Sequence, residues 1–164
     1  MTRMGLVWLV VLLLASACQP PAQLNAPPDI RYGEDACDQC RMIISEARFA
    51  AAYVTGQGEV RRFDDIGDML LFLAEQGEEV TALWVHDYET EEWLKADKAY
   101  FVVGEELVTP MGYGIVAVAD QERAERLAGA KHGMVLTFET LRERFAAGEI
   151  MPGHAQEHQM QMAD

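Results

Sequence analysis

The chain has 164 residues, 27 acidic side chains against 13 basic ones, and a net charge of −14; that length suits one compact domain. So acidic a balance excludes a nucleic-acid binder, which needs a basic patch or stripe, and it suits solubility and the collection of cations. Three cysteines are too few for a disulfide scaffold.

The first segment is read as a leader. Arg3 gives a short basic start, residues 6–14 are an unbroken apolar run, and Ala15, Ser16 and Ala17 lead into Cys18. That order is the pattern of a secretory signal. The apolar run is shorter than the roughly 20 residues that span a membrane. Small residues followed directly by Cys resemble the lipobox of bacterial lipoproteins, with Ala15 where Leu is more usual. We expect residues 1–17 to be removed and Cys18 to carry acyl chains, more than one being needed for a stable anchor. Ordinary secretion with a free Cys18 is the alternative. Arg3 is the only charge in the leader, so its loss takes the net charge from −14 to −15. The expected location is the periplasmic face of a membrane, inner or outer, in a compartment where thiols meet oxidants.

Residues 18–32 hold four of the six prolines and read as an extended tether. A folded domain is expected over 33–150, followed by a tail, 151–164, without apolar periodicity. Within the domain, 49–55 reads as a strand that Gly56-Gln57-Gly58 turns back in a hairpin. The run VRRFDDIGDMLLFL (60–73) takes a short strand through acidic residues into an amphipathic helix. Residues 80–88 and 93–103 are rich in Trp, Tyr, Phe and Val and read as strands. A further strand is expected at 115–119 and a helix over 120–131.

The run VLTFETLRERF (135–145) then resembles 60–73, with Phe63 on Phe138, Asp64 on Glu139, Ile66 on Leu141 and Leu70 on Phe145. These elements predict an α+β fold, a single domain of two related β–β–α-type halves. The alternative is that two amphipathic helices merely look alike.

The chemistry concentrates in Cys37-Asp-Gln-Cys40-Arg-Met42. Thiolate and thioether donors favour Cu(I) over hard, oxygen-seeking ions. In an extended segment residues two apart share a side, so Cys40 and Met42 would converge on one ion. Cys37 would join from a turn, as an accessory donor. Three other uses of the CxxC pair stand beside this one. Structural zinc wants four ligands, and neither a second pair nor suitably spaced histidines is present. A thioredoxin-like motif would open a helix after a strand, whereas this one follows a proline-rich tether. A plain Cys37–Cys40 disulfide would block metal until reduced.

Met111 lies in the loop Thr-Pro-Met-Gly-Tyr-Gly (109–114), where a large apolar side chain has no obvious core to fill. If the halves are related, that loop and the one carrying Met42 come together, making Met111 a third soft donor. Packing beneath its own loop is the plainer use. Met69 and Met134 fall in apolar patterns and are expected in the core. His86 is expected to be structural and His132 solvated. The tail offers His154 and His158 as accessory copper donors, with Met151, Met160 and Met162 beside them. Asp64 and Asp65 are accounted for as helix-start residues. No nucleophile constellation or phosphate loop appears, so an enzyme is not expected.

The combination of CDQCRMII, FDDIGDM and PMGYG behind a lipoprotein-type leader resembles the nitrous-oxide reductase accessory protein family, NosL, over about residues 33–150. The resemblance implies a periplasmic Cu(I) chaperone serving assembly of the copper–sulfide centre of nitrous-oxide reductase. Its implied ligands are Cys40, Met42 and Met111, and its implied partners are the periplasmic part of an ABC-type membrane complex and the reductase itself. Many family members carry Gly where this chain has Arg41. The protein would act as a monomer or a copper-bridged dimer. Two rival functions remain open, a thiol–disulfide oxidoreductase using Cys37 and Cys40 and a metal-free scaffolding lipoprotein.

Overall fold

The structure is a computed structural model and describes residues 26–153. Among these the chain runs β1 (Ala51–Thr55), β2 (Val60–Phe63), α1 (Ile66–Gln76), β3 (Val80–His86), β4 (Trp93–Lys95), β5 (Tyr100–Gly104), β6 (Ile115–Val118), α2 (Gln121–Ala130), β7 (Gly133–Leu136) and α3 (Phe138–Ala146). Two antiparallel sheets result, ordered β2-β1-β3-β4 and β6-β5-β7. The α+β, single-domain expectation holds.

Local chemistry explains the element ends. The β1–β2 hairpin closes through Gly58, whose φ of +84° suits a residue without a side chain. Asp65, Asp120 and Thr137 cap α1, α2 and α3 by accepting from the backbone N–H groups of Gly67, Arg123 and Thr140. Gly77, at φ +61°, ends α1 in the left-handed conformation that favours glycine. Residues 93–103, expected as one strand, are two. A 3-10 turn at Ala96–Lys98 divides them and sends β4 to the first sheet and β5 to the second.

The relation between the halves differs from the one read in the sequence. There, β2 with α1 was matched to β7 with α3, and β1 to β6. In the structure β6 and β7 do not pair with each other; both flank β5. The repeated unit is strand, strand, helix, strand: β1-β2-α1-β3 and β5-β6-α2-β7, each with its first strand central. Helix α1 therefore corresponds to α2, and the Asp65 cap to the Asp120 cap. The misleading likeness came from two strand-to-helix junctions with similar apolar spacing.

One continuous core joins the halves, with Tyr53, Phe63, Ile66 and Met69 from the first and Phe101, Ile115 and Leu141 from the second. It reaches back to Ile30 and forward to Ile150, so packing starts three residues before the expected boundary at Gly33. Met69 is buried as expected. Met134 is not: it is 45% exposed and its sulfur lies 3.2 Å from Arg144 Nη1. Strand β7 is an edge strand of its sheet, and Met134 falls on its open side. His86 is structural, with Nδ1 2.7 Å from the Glu91 carbonyl, Nε2 2.7 Å from the Tyr32 hydroxyl, and its ring against Trp93. His132 is exposed, with Glu106 its neighbour at 3.4 Å.

Candidate metal centre

The segment holding the two thiols is a small closed loop laid against the end of β2. Ala36 and Ile43 form an isolated antiparallel bridge at its base. Inside it Cys37 N–H donates to the Met42 carbonyl at 2.7 Å and Arg41 N–H to the Cys37 carbonyl at 3.1 Å. Asp38 fixes the loop to Arg62, donating its own N–H to the Arg62 carbonyl and accepting the Arg62 N–H on its carboxylate, both at 2.8 Å. Arg41 sits at φ +67°. The segment is therefore a turn, and the extended geometry expected to align Cys40 with Met42 is absent. Cys37 does approach from a turn, as read.

The start of α1 supplies the opposite wall. Asp64 precedes the cap residue Asp65, and Asp68 lies in the first turn. Residues four apart at a helix start share a face, and here that face meets the thiols. Cys37 Sγ is 3.4 Å from Asp68 Oδ2, and Cys40 Sγ is 3.4 Å from Asp64 Oδ1. One donor atom from each of the four residues lies within 4.8 Å of the others. Cys37, Asp64 and Asp68 are buried and Cys40 is partly exposed. Cys37 thus stands in the group as the equal of Cys40. The sequence singled out the thiols but assigned Asp64 only a helix-start role and passed over Asp68. The signal that could have found them is the four-residue spacing in FDDIGDM.

Burial governs the protons. It pushes the Cys37 thiol up to about 11, opposed in part by the backbone N–H groups of Asp64 and Cys40. Burial also raises Cys40; the Met42 backbone opposes the rise, and hydrogen bonding to Asp68 and to the Cys37 thiol adds to it. Asp68 is raised by burial too, with the two thiols working against the rise. Both sulfurs are therefore protonated at neutral pH and act as ligands only when a metal displaces the proton. Both cysteines are free, and the thiol pair, one member buried and the other partly exposed, can take a soft metal ion.

The methionines occupy two settings. Met42 is 46% exposed on the thiol loop. Met111 is half-buried and packs against the same core as Cys37 and Cys40. Its loop is tied to the site by Asp65, which is fully buried and uses both oxygens: Oδ1 accepts from Gly67 N–H at 2.8 Å and Oδ2 from Met111 N–H at 2.9 Å. Next along that loop, Tyr113 covers Gly67 so closely that a Cβ there would lie 2.1 Å from the ring. The second half is thus fastened to the helix start that bears both aspartates. Cys18, His154 and His158 lie outside the described residues. Among those described, no histidine joins the thiol–carboxylate group.

Comparison with known proteins bears on the family and the fold of the domain. The NosL family profile matches residues 31–146, a span that includes both loops and all four grouped residues. A curated relative, the copper-binding lipoprotein NosL of Stutzerimonas stutzeri, is 30% identical over 154 residues, which are 85% of this chain and 81% of the relative. The crystal structure of the copper chaperone NosL from Shewanella denitrificans is similar in fold, with a TM-score of 0.61 at 24% identity, covering 73% of this chain and 96% of that one. The chain belongs to the NosL family.

Proposed function

We propose that the protein is a membrane-anchored Cu(I) chaperone of the periplasmic face, delivering copper for assembly of the copper–sulfide centre of nitrous-oxide reductase. The observation that carries this reading is the pairing of Cys37 and Cys40 on one closed loop, with the thioether of Met42 outside them. Soft sulfur donors select Cu(I). The name of the Stutzerimonas relative, a copper-binding lipoprotein, supports both the cargo and an acyl anchor on Cys18. The resemblance of the whole domain supports the recipient, the periplasmic part of an ABC-type assembly complex or the reductase itself.

Exposure gives delivery a direction. Cys37 is buried, Cys40 partly exposed and Met42 46% exposed, so a partner's sulfur or imidazole reaches Met42 first and Cys37 last. Copper then moves by stepwise ligand exchange without release to water, and no catalytic turnover is involved. A thiol–disulfide oxidoreductase would need a thiol with a depressed pKa. Burial raises both thiols here, which weighs against that rival.

Anaerobic Cu(I) titration against a competing chelator tests the site, using the soluble domain and its Cys40→Ser, Met42→Ala and Met111→Ala variants. Affinity should fall in the first two. Unchanged affinity in both would sink the site, whereas unchanged affinity in Met111→Ala alone would remove only Met111 from it. Incubating the loaded protein with the copper-free assembly complex tests delivery; copper that stays behind would overturn it.

A further inference from the structure

A second surface lies on the far side of α1 from the thiols. The later turns of α1, the start of β3 and helix α3 enclose an open cleft of about 1300 Å³. At about 3.6 residues per turn, Leu70, Leu73, Ala74 and Gly77 fall on the side of α1 opposite Asp68, the residue that meets Cys37. An occupant of the cleft therefore leaves the thiol group open. The floor is apolar, formed by Leu70, Leu73, Leu83, Phe138 and Phe145. All of these except Leu70 stop at partial burial. Phe138 and Phe145 are held by ring contacts with Phe101 and Tyr113, each at 5.6 Å between centroids. The floor is thus preformed and costs little to order on binding. Small-molecule sites occupy roughly 300–1,000 Å³; this larger, open cleft suits a segment of polypeptide.

The rim is acidic. Glu78, Asp97, Glu139 and Glu143 stand there against Lys95 and Arg142. Glu78 is already held by Arg61, and Asp97 lies by Lys98. Both rim cations are engaged by rings, Lys95 over Trp84 at 5.3 Å and Arg142 over Phe138 at 5.8 Å. The carboxylates of Glu139 and Glu143, by contrast, have no ion pair or hydrogen bond among the described residues. Four apart on α3, they share a face and repel each other. The helix dipole favours an acid at Glu139, in the first turn, but not at Glu143 toward the other end. An apolar floor thus lies beside uncompensated negative charge.

We infer that the cleft between α1 and α3 docks an amphipathic helix of a partner protein, its apolar stripe on the floor and its Lys or Arg side chains on Glu139 and Glu143. In helix-in-groove recognition, apolar anchors at i, i+3, i+4 and i+7 set the fit, and flanking charge sets the orientation. A second copy of this chain is a poor occupant, because a net charge of −14 repels its like. An anionic lipid surface is repelled for the same reason. The docking surface does not depend on the copper reading. It gives a partner a hold on the protein while the thiols stay accessible.

The test titrates the full mature chain with a synthetic amphipathic helix bearing Leu at i, i+3, i+4 and i+7 and Lys on both flanks. Matched peptides carry Glu in place of Lys, or Pro in place of the central Leu. NMR follows Leu73, Leu83 and Phe138. The Lys helix should bind there, more weakly as salt is added. The Glu and Pro forms should bind at least about tenfold more weakly. Glu139→Lys/Glu143→Lys should invert the preference between the Lys and Glu peptides. Ala74→Arg, at an exposed position in the wall, should block both. Cu(I) affinity should stay the same in these variants, and Cys40→Ser should bind the Lys helix as the parent chain does. In intact cells, a photo-cross-linker at Ala74 should join a protein through a segment with Lys or Arg beside apolar residues at helical spacing.

Equal binding of the Lys and Glu helices, an unchanged preference after charge reversal, or equal binding of the Pro form overturns the inference. So does an adduct at Ala74 with a second copy of this chain, or no adduct at all. Failure of the parent chain to bind copper would overturn the copper reading alone and leave the docking surface standing.

Discussion

Arg41 holds a left-handed backbone, φ +67°, between the second thiol and Met42. For an L-residue that conformation costs roughly 1–2 kcal/mol, a cost that glycine would not carry. The Arg41 side chain is 74% exposed and its nearest acid, Asp38, is 3.8 Å away, a pairing of little consequence in water. Arg41→Gly should therefore leave copper affinity unchanged and stabilise the fold by up to about 1 kcal/mol, the relief being offset in part by glycine's greater freedom when unfolded. Arg41→Val should destabilise by about 1–2 kcal/mol. Equilibrium urea unfolding of the three forms decides it. The thiols give a second prediction. Because burial raises both, each is protonated when empty and must lose its proton to bind metal. Cu(I) affinity should therefore rise with pH, by about tenfold per unit for each proton released, across pH 6 to 8. Proton release on loading can be measured directly in weakly buffered solution. A flat profile would mean that the sulfur of thioethers, not thiols, holds the copper. At this scale the sequence was half legible. Cysteine and methionine declare their softness wherever they stand, whereas Asp64 and Asp68 look like ordinary helix-start carboxylates until the fold turns them toward sulfur.

The elements show a similar division. Strands, helix caps and the β1–β2 turn were readable because alternation, Asp or Thr at a helix start, and glycine at a positive φ act through neighbours in the chain. The pairing of the halves was not readable, because it depends on which strand occupies the centre of each sheet. Residues 93–103 have strand composition throughout; only the competition between two sheets for their ends splits them at Ala96–Lys98. Gly67 marks where one half presses on the other. Gly67→Ala would place a methyl group inside the Tyr113 ring contact, and overpacking of a rigid contact typically costs about 1–3 kcal/mol. The expected result is a loss near the upper end of that range in urea, since neither the helix start nor the ring is on a flexible arm. Displacement of the 109–113 loop should accompany it, visible as changed amide shifts at Met111 and Gly112. Wild-type stability in this variant would show that the contact yields easily.

For the molecule as a whole, strong net acidity and the proposed anchor act together. A chain carrying −14 is repelled by anionic lipid headgroups, so attachment must come from acyl chains and not from surface charge. Cys18→Ala should accordingly move the protein from the membrane fraction to the soluble periplasmic fraction, with its copper site intact. Fractionation followed by immunodetection tests this, and retention on the membrane would argue for a protein partner as the anchor. The two halves are also pinned at a second point. Asp87 accepts from Ala119 N–H at 2.8 Å and pairs with Arg123 on α2. With Asp65 at one end of the joint and Asp87 at the other, the halves have little room to rock. Asp65 is fully buried, with each oxygen given to a different half. On the proposed delivery role, a receptor would therefore meet nearly the same outline whether or not the thiol group holds copper. To accept loaded copies and turn away spent ones, it would have to sense the ion or the side chains in contact with it, because a clamped scaffold sends no message to its far surfaces.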